Sequence, residues 1–261
     1  MTTIVSVHSF RGGTGKSNLT ANLGATLARS GKRVGIVDTD IQSPGIHTLF
    51  NLNEQSINHT LNDYLWKRCS IKEAAHDVSD KLRLEENNGK SIKGCLYLIP
   101  SSIKASDIAR VLREGYDVIH LNDGFHELSD CLNLDYLLID THPGLNEETL
   151  LSIGISHILV VLLRPDNQDF QGTAVTIDVA RKLKVPHMML VINKVLQTLN
   201  FEDLQQQVES TYNVSVAGMM PLSEDIVQLA SHDLFCTCYP EHPICQTFEG
   251  IAAQIASVEQ S

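Results

Sequence analysis

Phe10-Arg11-Gly12-Gly13-Thr14-Gly15-Lys16-Ser17 stands between an apolar run, Thr3-Ile4-Val5-Ser6-Val7, and a segment over residues 16–29 whose Leu19, Leu23 and Leu27 share one helical face. Strand, glycine-rich loop and helix follow in that order. The glycines carry no Cβ, so backbone N–H groups can close around phosphate oxygens. The start of the helix adds partial positive charge. Lys16 can reach the β- and γ-phosphates of a nucleoside triphosphate, and the Ser17 hydroxyl can ligate Mg²⁺. Thr14 and Asn18 belong to the same candidate nucleotide site. The competing reading, a glycine turn with an incidental lysine, does not account for the ordered context.

Working outward, strand-length apolar runs alternate with helix-period segments. Further strands are expected at residues 34–37, 95–99, 136–139, 158–163, 188–192 and 214–219. Helical patterns occupy 104–113, 147–153, 171–183 and 201–212. This alternation predicts a doubly wound α/β fold, a mostly parallel sheet with helices on both faces. Residues 52–94 interrupt it. They are polar, contain Glu85-Glu86-Asn87-Asn88-Gly89-Lys90, and offer short helices only near 61–66 and 71–78. They read as a surface excursion from a single domain spanning residues 1–261.

The phosphate loop departs from the general spacing G-x-x-x-x-G-K-[ST], because Phe10 followed by Arg11, and not glycine, opens it. Here the sequence resembles the deviant Walker A ATPases of the MinD/ParA class, whose loop reads K-G-G-x-G-K-[ST]. Gly12 to Ser17 match; Arg11 stands where the family has its signature lysine, which reaches into the partner subunit's site in an ATP-bound dimer. Two more segments carry the resemblance. Val34-Gly35-Ile36-Val37-Asp38-Thr39-Asp40 is similar to the family's second strand and switch I, D-x-D. The resemblance gives Asp40 the role of orienting the attacking water near Mg²⁺, with Asp38 supporting the metal site; alone, the pair could equally be turn or cap aspartates. Leu137-Leu138-Ile139-Asp140-Thr141-His142-Pro143-Gly144 is similar to the Walker B strand and switch II, D-[ST]-P-x-G, with His142 as a departure. An exposed loop histidine is favoured there over a sensor of the switch state. By the same resemblance Asp140 and Gly144 couple to the γ-phosphate. Asn193 and the loop at Pro221 flank adenine. Ser17, Asp40 and Asp140 hold the metal, and Arg11, Lys16 and Asp40 carry the chemistry.

The resemblance implies a Mg²⁺-dependent ATPase that dimerises on ATP. It further implies a protein partner that stimulates turnover and a role in intracellular positioning or partition. An iron–sulfur carrier or reductase on the same ATPase core is the alternative, and a ligase-type enzyme is a third. Cys236-Thr237-Cys238 and Cys245, with His232 and His242 nearby, keep the metal question open, although buried cysteine is commonly a small hydrophobe. Met188-Met189 and Met219-Met220 fall in strand patterns and read as core.

Net charge is −11, which argues against general nucleic-acid binding. Residues 195–261 contain nine acids and no Lys or Arg. Near the C-terminus, Phe248, Ile251, Ala252 and Ile255 follow helical spacing, with Pro243 near the start. Membrane-surface helices want cations on the polar face. This one has none, so docking onto the sheet is expected. Residues 67–113 hold ten of the bases and are the better candidate for any anionic partner. No membrane-spanning run is present and six cysteines do not make a small disulfide scaffold, so a cytoplasmic setting is expected.

Overall fold

The structure, a computed structural model, describes residues 1–83 and 94–258. Its elements in chain order are β1 (Thr3–His8), α1 (Lys16–Arg29), β2 (Arg33–Asp38), α2 (Leu61–Leu65), β3 (His76–Asp77), β4 (Cys95–Ile99), α3 (Ala105–Glu114), α4 (Val118–Cys131), β5 (Tyr136–Asp140), α5 (Glu147–Gly154), β6 (Ile158–Leu163), α6 (Asn167–Lys182), β7 (His187–Val195), α7 (Phe201–Tyr212), β8 (Val216–Pro221), α8 (Glu224–Leu229), α9 (Phe235–Cys238) and α10 (Pro243–Val258). Among the described residues eight strands form one sheet in the order β3-β4-β2-β5-β1-β6-β7-β8, parallel except for the short edge strand β3.

Side chains alternate across the strands, which sorts the core into two faces. Val5, Val7, Leu138, Ile158, Val160 and Leu162 point to the face covered by α1 and α10. On the other face, Ile4, Leu137 and Ile139 pack with α2 and α4, while Leu159, Val161 and Leu163 pack with α6 and α7. Strands buried on both sides must be apolar throughout, as Ile158–Leu163 is. Burial of Ile244, Phe248, Ile251, Ala252 and Ile255 places the apolar stripe of α10 on the sheet, as its charge pattern predicts. No helix among the described residues is long and apolar enough to cross a membrane.

Two readings of the sequence differ from the structure. Residues 71–78 do not form a helix. Ser70 and Glu73 make a reciprocal capping turn, but it ends after one turn. His76–Asp77 then pair antiparallel with β4, and Val78 donates its N–H to the Leu96 carbonyl while its side chain is buried. Satisfying an open sheet edge outweighs the local helical signal. The second difference is α4, which no expected helix covers. Asp117 caps it by accepting from the Ile119 and His120 amides, and Leu121, Phe125 and Leu128 form its buried stripe. Residues 85–90 lie outside the described residues.

Candidate nucleotide site

The parallel ladder brings the three sequence-predicted motifs to one end of the sheet. Val7 of β1 and Asp38 of β2 both sit opposite Asp140 of β5. The loop after β1 therefore arches between the carboxyl ends of neighbouring strands, where open α/β sheets bind ligands. Gly15 caps α1 with φ +98°, and a Cβ there would lie 2.5 Å from the Asn193 amide nitrogen. Both the backbone conformation and the space require glycine.

Lys16 points down this loop and its Nζ lies 2.9 Å from Asp140 Oδ1, with side chains only 7% and 1% exposed. Thr20, one turn further along α1, donates to the same oxygen at 3.2 Å. Asp140 Oδ2, Asp38 Oδ2 and the Thr14 hydroxyl are buried without a hydrogen-bond partner. Buried polar atoms normally have partners, so these mark where a ligand or cation belongs. Burial, and then the charge of Asp140, push the Asp38 carboxyl well above its ordinary range, with Lys16 opposing. Asp38 Oδ1 accepts the Asp40 amide.

Asp40 is itself engaged. Its Oδ1 accepts from His142 Nδ1 at 2.6 Å and from the Ser43 amide at 3.2 Å. The His142 side chain is 22% exposed, so it is not the freely exposed loop histidine expected from sequence. The switch II backbone folds back on the phosphate loop: Gly144, at φ +84°, donates its N–H to the Ser9 carbonyl. His8, the last residue of β1, lies 2.8 Å from the Thr141 hydroxyl, which donates to the Val7 carbonyl. That arrangement makes His8 Nδ1 the donor and leaves Nε2 as a buried acceptor. Burial, helped by the charges of Lys16 and His142, pushes the His8 pKa down to about 3.

At the far end, Asn193 Nδ2 donates to the Thr14 carbonyl at 2.7 Å, and Lys194 Nζ donates to the Gly13 carbonyl at 2.8 Å. Beside them opens a cavity of about 210 Å³, lined by Gly15, Asn18, Asn193, Met220, Leu222 and Ile226. Its walls are chiefly apolar, which suits the faces of a nucleobase. Pro221 lies outside it, in a neighbouring cleft that shares Leu222 and Ser223.

Arg11 lies 3.7 Å from Asp166 and 3.8 Å from Asp169, both at the start of α6, with its side chain 40% exposed. Arg164 contacts the same two carboxylates. The ring of Phe10 packs where a Cβ on Gly172 would be, which brings α6 against the loop. Thr20, His8 and the Asp166–Asp169 pair are therefore site residues that the motif reading did not name, and Thr141 and Lys194 lie in its motifs but were given no role. Asp166 followed by Asp169 ahead of a helical run is a capping signal that points to α6, though not to its partner Arg11.

Of the C-terminal cysteines only Cys236 and Cys245 come near one another. Cys236 and Cys245 are buried, and burial pushes their thiols up to about 12 and about 11. Cys238 instead meets Arg83. Among the described residues no group of three or more His, Cys, Asp or Glu is placed to hold a metal.

Residues 5–234 match the model of the CobQ/CobB/MinD/ParA nucleotide-binding domain. The chain belongs to that family. It is 25% identical over 256 residues to an uncharacterised ATP-binding protein of Methanocaldococcus jannaschii, covering 98% of this chain and 88% of the relative. It is 26% identical over 230 residues to the septum site-determining protein MinD of Synechocystis, covering 87% and 79% respectively. The structure of MinD from Pyrococcus horikoshii complexed with Mg-ADP superposes with TM-score 0.80 at 19% identity, covering 99% of this chain and 98% of that one. The fold is that of the MinD/ParA-class P-loop ATPases.

Proposed function

We propose that this chain is a Mg²⁺-dependent ATPase that dimerises on ATP and releases its partner copy after hydrolysis, serving as a switch in intracellular positioning or partition. The observation that carries the reading is the convergence of Lys16, Asp40 and Asp140 at the carboxyl ends of three adjacent strands, beneath a loop whose Gly15 admits no side chain. Lys16 and the loop amides would hold the triphosphate, and the cavity beside Asn193 and Asn18 would take the base. The buried carboxylate oxygens without partners suit a divalent cation. Ser17, Asp40 and Asp140 would hold Mg²⁺, which neutralises charge on the triphosphate when bound. Asp40 accepts a hydrogen bond from the attacking water and orients it. The water oxygen bonds to the γ-phosphorus, the β–γ bridging oxygen leaves on ADP, and the water protons pass to solvent and inorganic phosphate. The protein's contribution is positioning and electrostatics.

Arg11 is the candidate for the contact made in trans. Its planar, permanently charged fork suits bidentate phosphate binding, and its 40% exposure leaves it reachable by a second copy. Septum site-determining relatives support a positional role, while iron–sulfur cluster carrier proteins of similar identity match the same core. A cytoplasmic protein partner that accelerates turnover completes the proposal. The test is ATP hydrolysis and size-exclusion chromatography with ATP and Mg²⁺, for wild type and Lys16→Ala. Hydrolysis and dimerisation in the wild type only are expected. Equal turnover in both proteins would overturn the assignment.

A further inference from the structure

His142 occupies a position for which the family resemblance supplies no role, since the related motif has proline there. Its neighbours in switch II turn toward the phosphate loop: Thr141 bonds to His8 and Val7, and Gly144 to Ser9. His142 reaches the other way, across to switch I, and donates Nδ1–H to Asp40 Oδ1 at 2.6 Å. Two features hold it there. Pro143 follows it, which disfavours helical backbone at His142. Thr39 anchors switch I to the end of β5 through two hydrogen bonds, one from its amide and one from its hydroxyl, both to the Asp140 carbonyl. The side chains of His142 and Asp40 are 22% and 12% exposed, so little water competes for the contact. With the Ser43 amide also on Oδ1, that carboxylate oxygen already accepts two donors.

We propose that His142 is a positioning residue that holds Asp40 against switch II, out of line for water, so that unstimulated ATP turnover stays low until switch II moves. This rests on the ATPase reading. His142 and the Ser43 amide both occupy Oδ1 of Asp40, which leaves the second carboxylate oxygen for Mg²⁺, so the capture acts on the water-orienting oxygen and hence on the hydrolytic step and not on nucleotide binding. A change in switch II, driven by the γ-phosphate or by a protein that docks on it, withdraws the imidazole and frees the carboxylate. The device links turnover to the conformation of the one loop that follows both Asp140 and the γ-phosphate.

The test compares wild type, His142→Ala and His142→Asn in steady-state ATP hydrolysis without partner, with ATP affinity and thermal melting measured alongside. Asparagine places an N–H where the imidazole Nδ1–H sits. His142→Ala should raise kcat about 10- to 100-fold, the scale of one hydrogen bond to a charged group, with KM and ATP affinity within about twofold. His142→Asn should return kcat to the wild-type value. An unchanged or lower kcat in His142→Ala, or an asparagine variant that behaves as alanine, would overturn the proposal. A second readout needs no turnover. In ligand-free protein the His142 Nδ1–H should give a low-field proton signal that vanishes in Asp40→Ala. Absence of that signal in the wild type overturns the tether itself. A wild type that shows the signal yet neither binds nor hydrolyses ATP overturns the ATPase reading and leaves the tether standing.

Discussion

Replacing Lys16 with alanine should do two separable things. The ammonium sits 2.9 Å from Asp140 Oδ1 with both side chains almost fully buried. Without it Asp140 faces Asp38, itself a buried carboxyl held toward its protonated form, with no cation in reach of that oxygen. Removing one partner of a buried ion pair costs about 3–5 kcal/mol, because the other charge is left unpaired. In a chain of this size each kcal/mol lowers Tm by about 2–4 °C, so ligand-free Lys16→Ala should melt about 6–20 °C below wild type. Lys16→Ala/Asp140→Asn should recover much of that loss. Asparagine keeps an acceptor for Thr20 while removing the charge. Neither variant should bind ATP. Calorimetric or circular-dichroism melts without nucleotide read the first effect, and titration with ATP reads the second. A ligand-free single variant that melts with the wild type would refute the buried pair. A single variant with intact ATP affinity would refute the phosphate-loop role.

Asp40→Ala should keep ATP affinity but lose turnover by about 10²–10⁴-fold, accumulating an ATP-bound dimer on size-exclusion chromatography; a monomer with intact hydrolysis contradicts it. Arg11→Ala should change stability by under about 1 kcal/mol, since Arg11 is 40% exposed and Arg164 still pairs Asp166 and the buried Asp169, yet weaken ATP-dependent dimerisation and turnover; equal dimerisation in both proteins removes the trans role. His8 should make the fold acid-sensitive. Its folded pKa of about 3 lies below the unfolded value, so the unfolded chain takes the proton first, and stability present above pH 6.5 is lost as pH falls. The loss should reach about 2 kcal/mol by pH 5. Asp38, raised in the fold, acts with the opposite sign, so denaturation of wild type and His8→Asn across pH isolates the histidine; parallel curves refute it. Anionic vesicles should not co-sediment the protein through α10, whose apolar stripe is buried on the sheet; salt-sensitive binding that depends on that helix contradicts the packing.

Most of the sheet was legible because its strands carry their signal locally. Ile158–Leu163 is apolar at every position, and only a strand covered on both faces needs that. Phe201–Tyr212 shows helical spacing between an Asn200 cap and the left-handed Asn213. The α4 helix was harder to see because His120, Asn122, Asp123 and Glu127 dilute the stripe of Leu121, Phe125 and Leu128. The edge strand His76–Asp77 was misread because it pairs with Leu98 and Tyr97 of β4, a relation that no local window contains. The site divides the same way. The loop, Asp38, Asp40 and Asp140 are motif residues with local signatures. The contacts of Lys16 with Asp140, of Arg11 with Asp166 and of Asn193 with Thr14 join residues more than a hundred positions apart, and only the sheet order brings them together.

Those long-range pairs share a pattern. Each charge assigned a part in ATP hydrolysis has a partner of opposite character within the chain: Lys16 has Asp140, Asp40 has His142, and Arg11 has Asp166 and Asp169. A site pre-organised for a triphosphate would instead concentrate unbalanced positive charge. Here nucleotide must exchange one set of contacts for another, and its net affinity is the difference between them. The three exchanges are not equal. Lys16 leaves a buried carboxylate that a metal ion can then use, so the lost attraction is replaced. Arg11 leaves two long contacts of 3.7 and 3.8 Å to carboxylates that Arg164 also pairs, which hold it weakly and leave it free for a second copy. Asp40 would give up a short hydrogen bond of 2.6 Å on Oδ1, and no phosphate oxygen can replace the donor lost there. On the proposed ATPase reading, binding and dimerisation can therefore proceed while Asp40 is still held, and hydrolysis is the step left waiting.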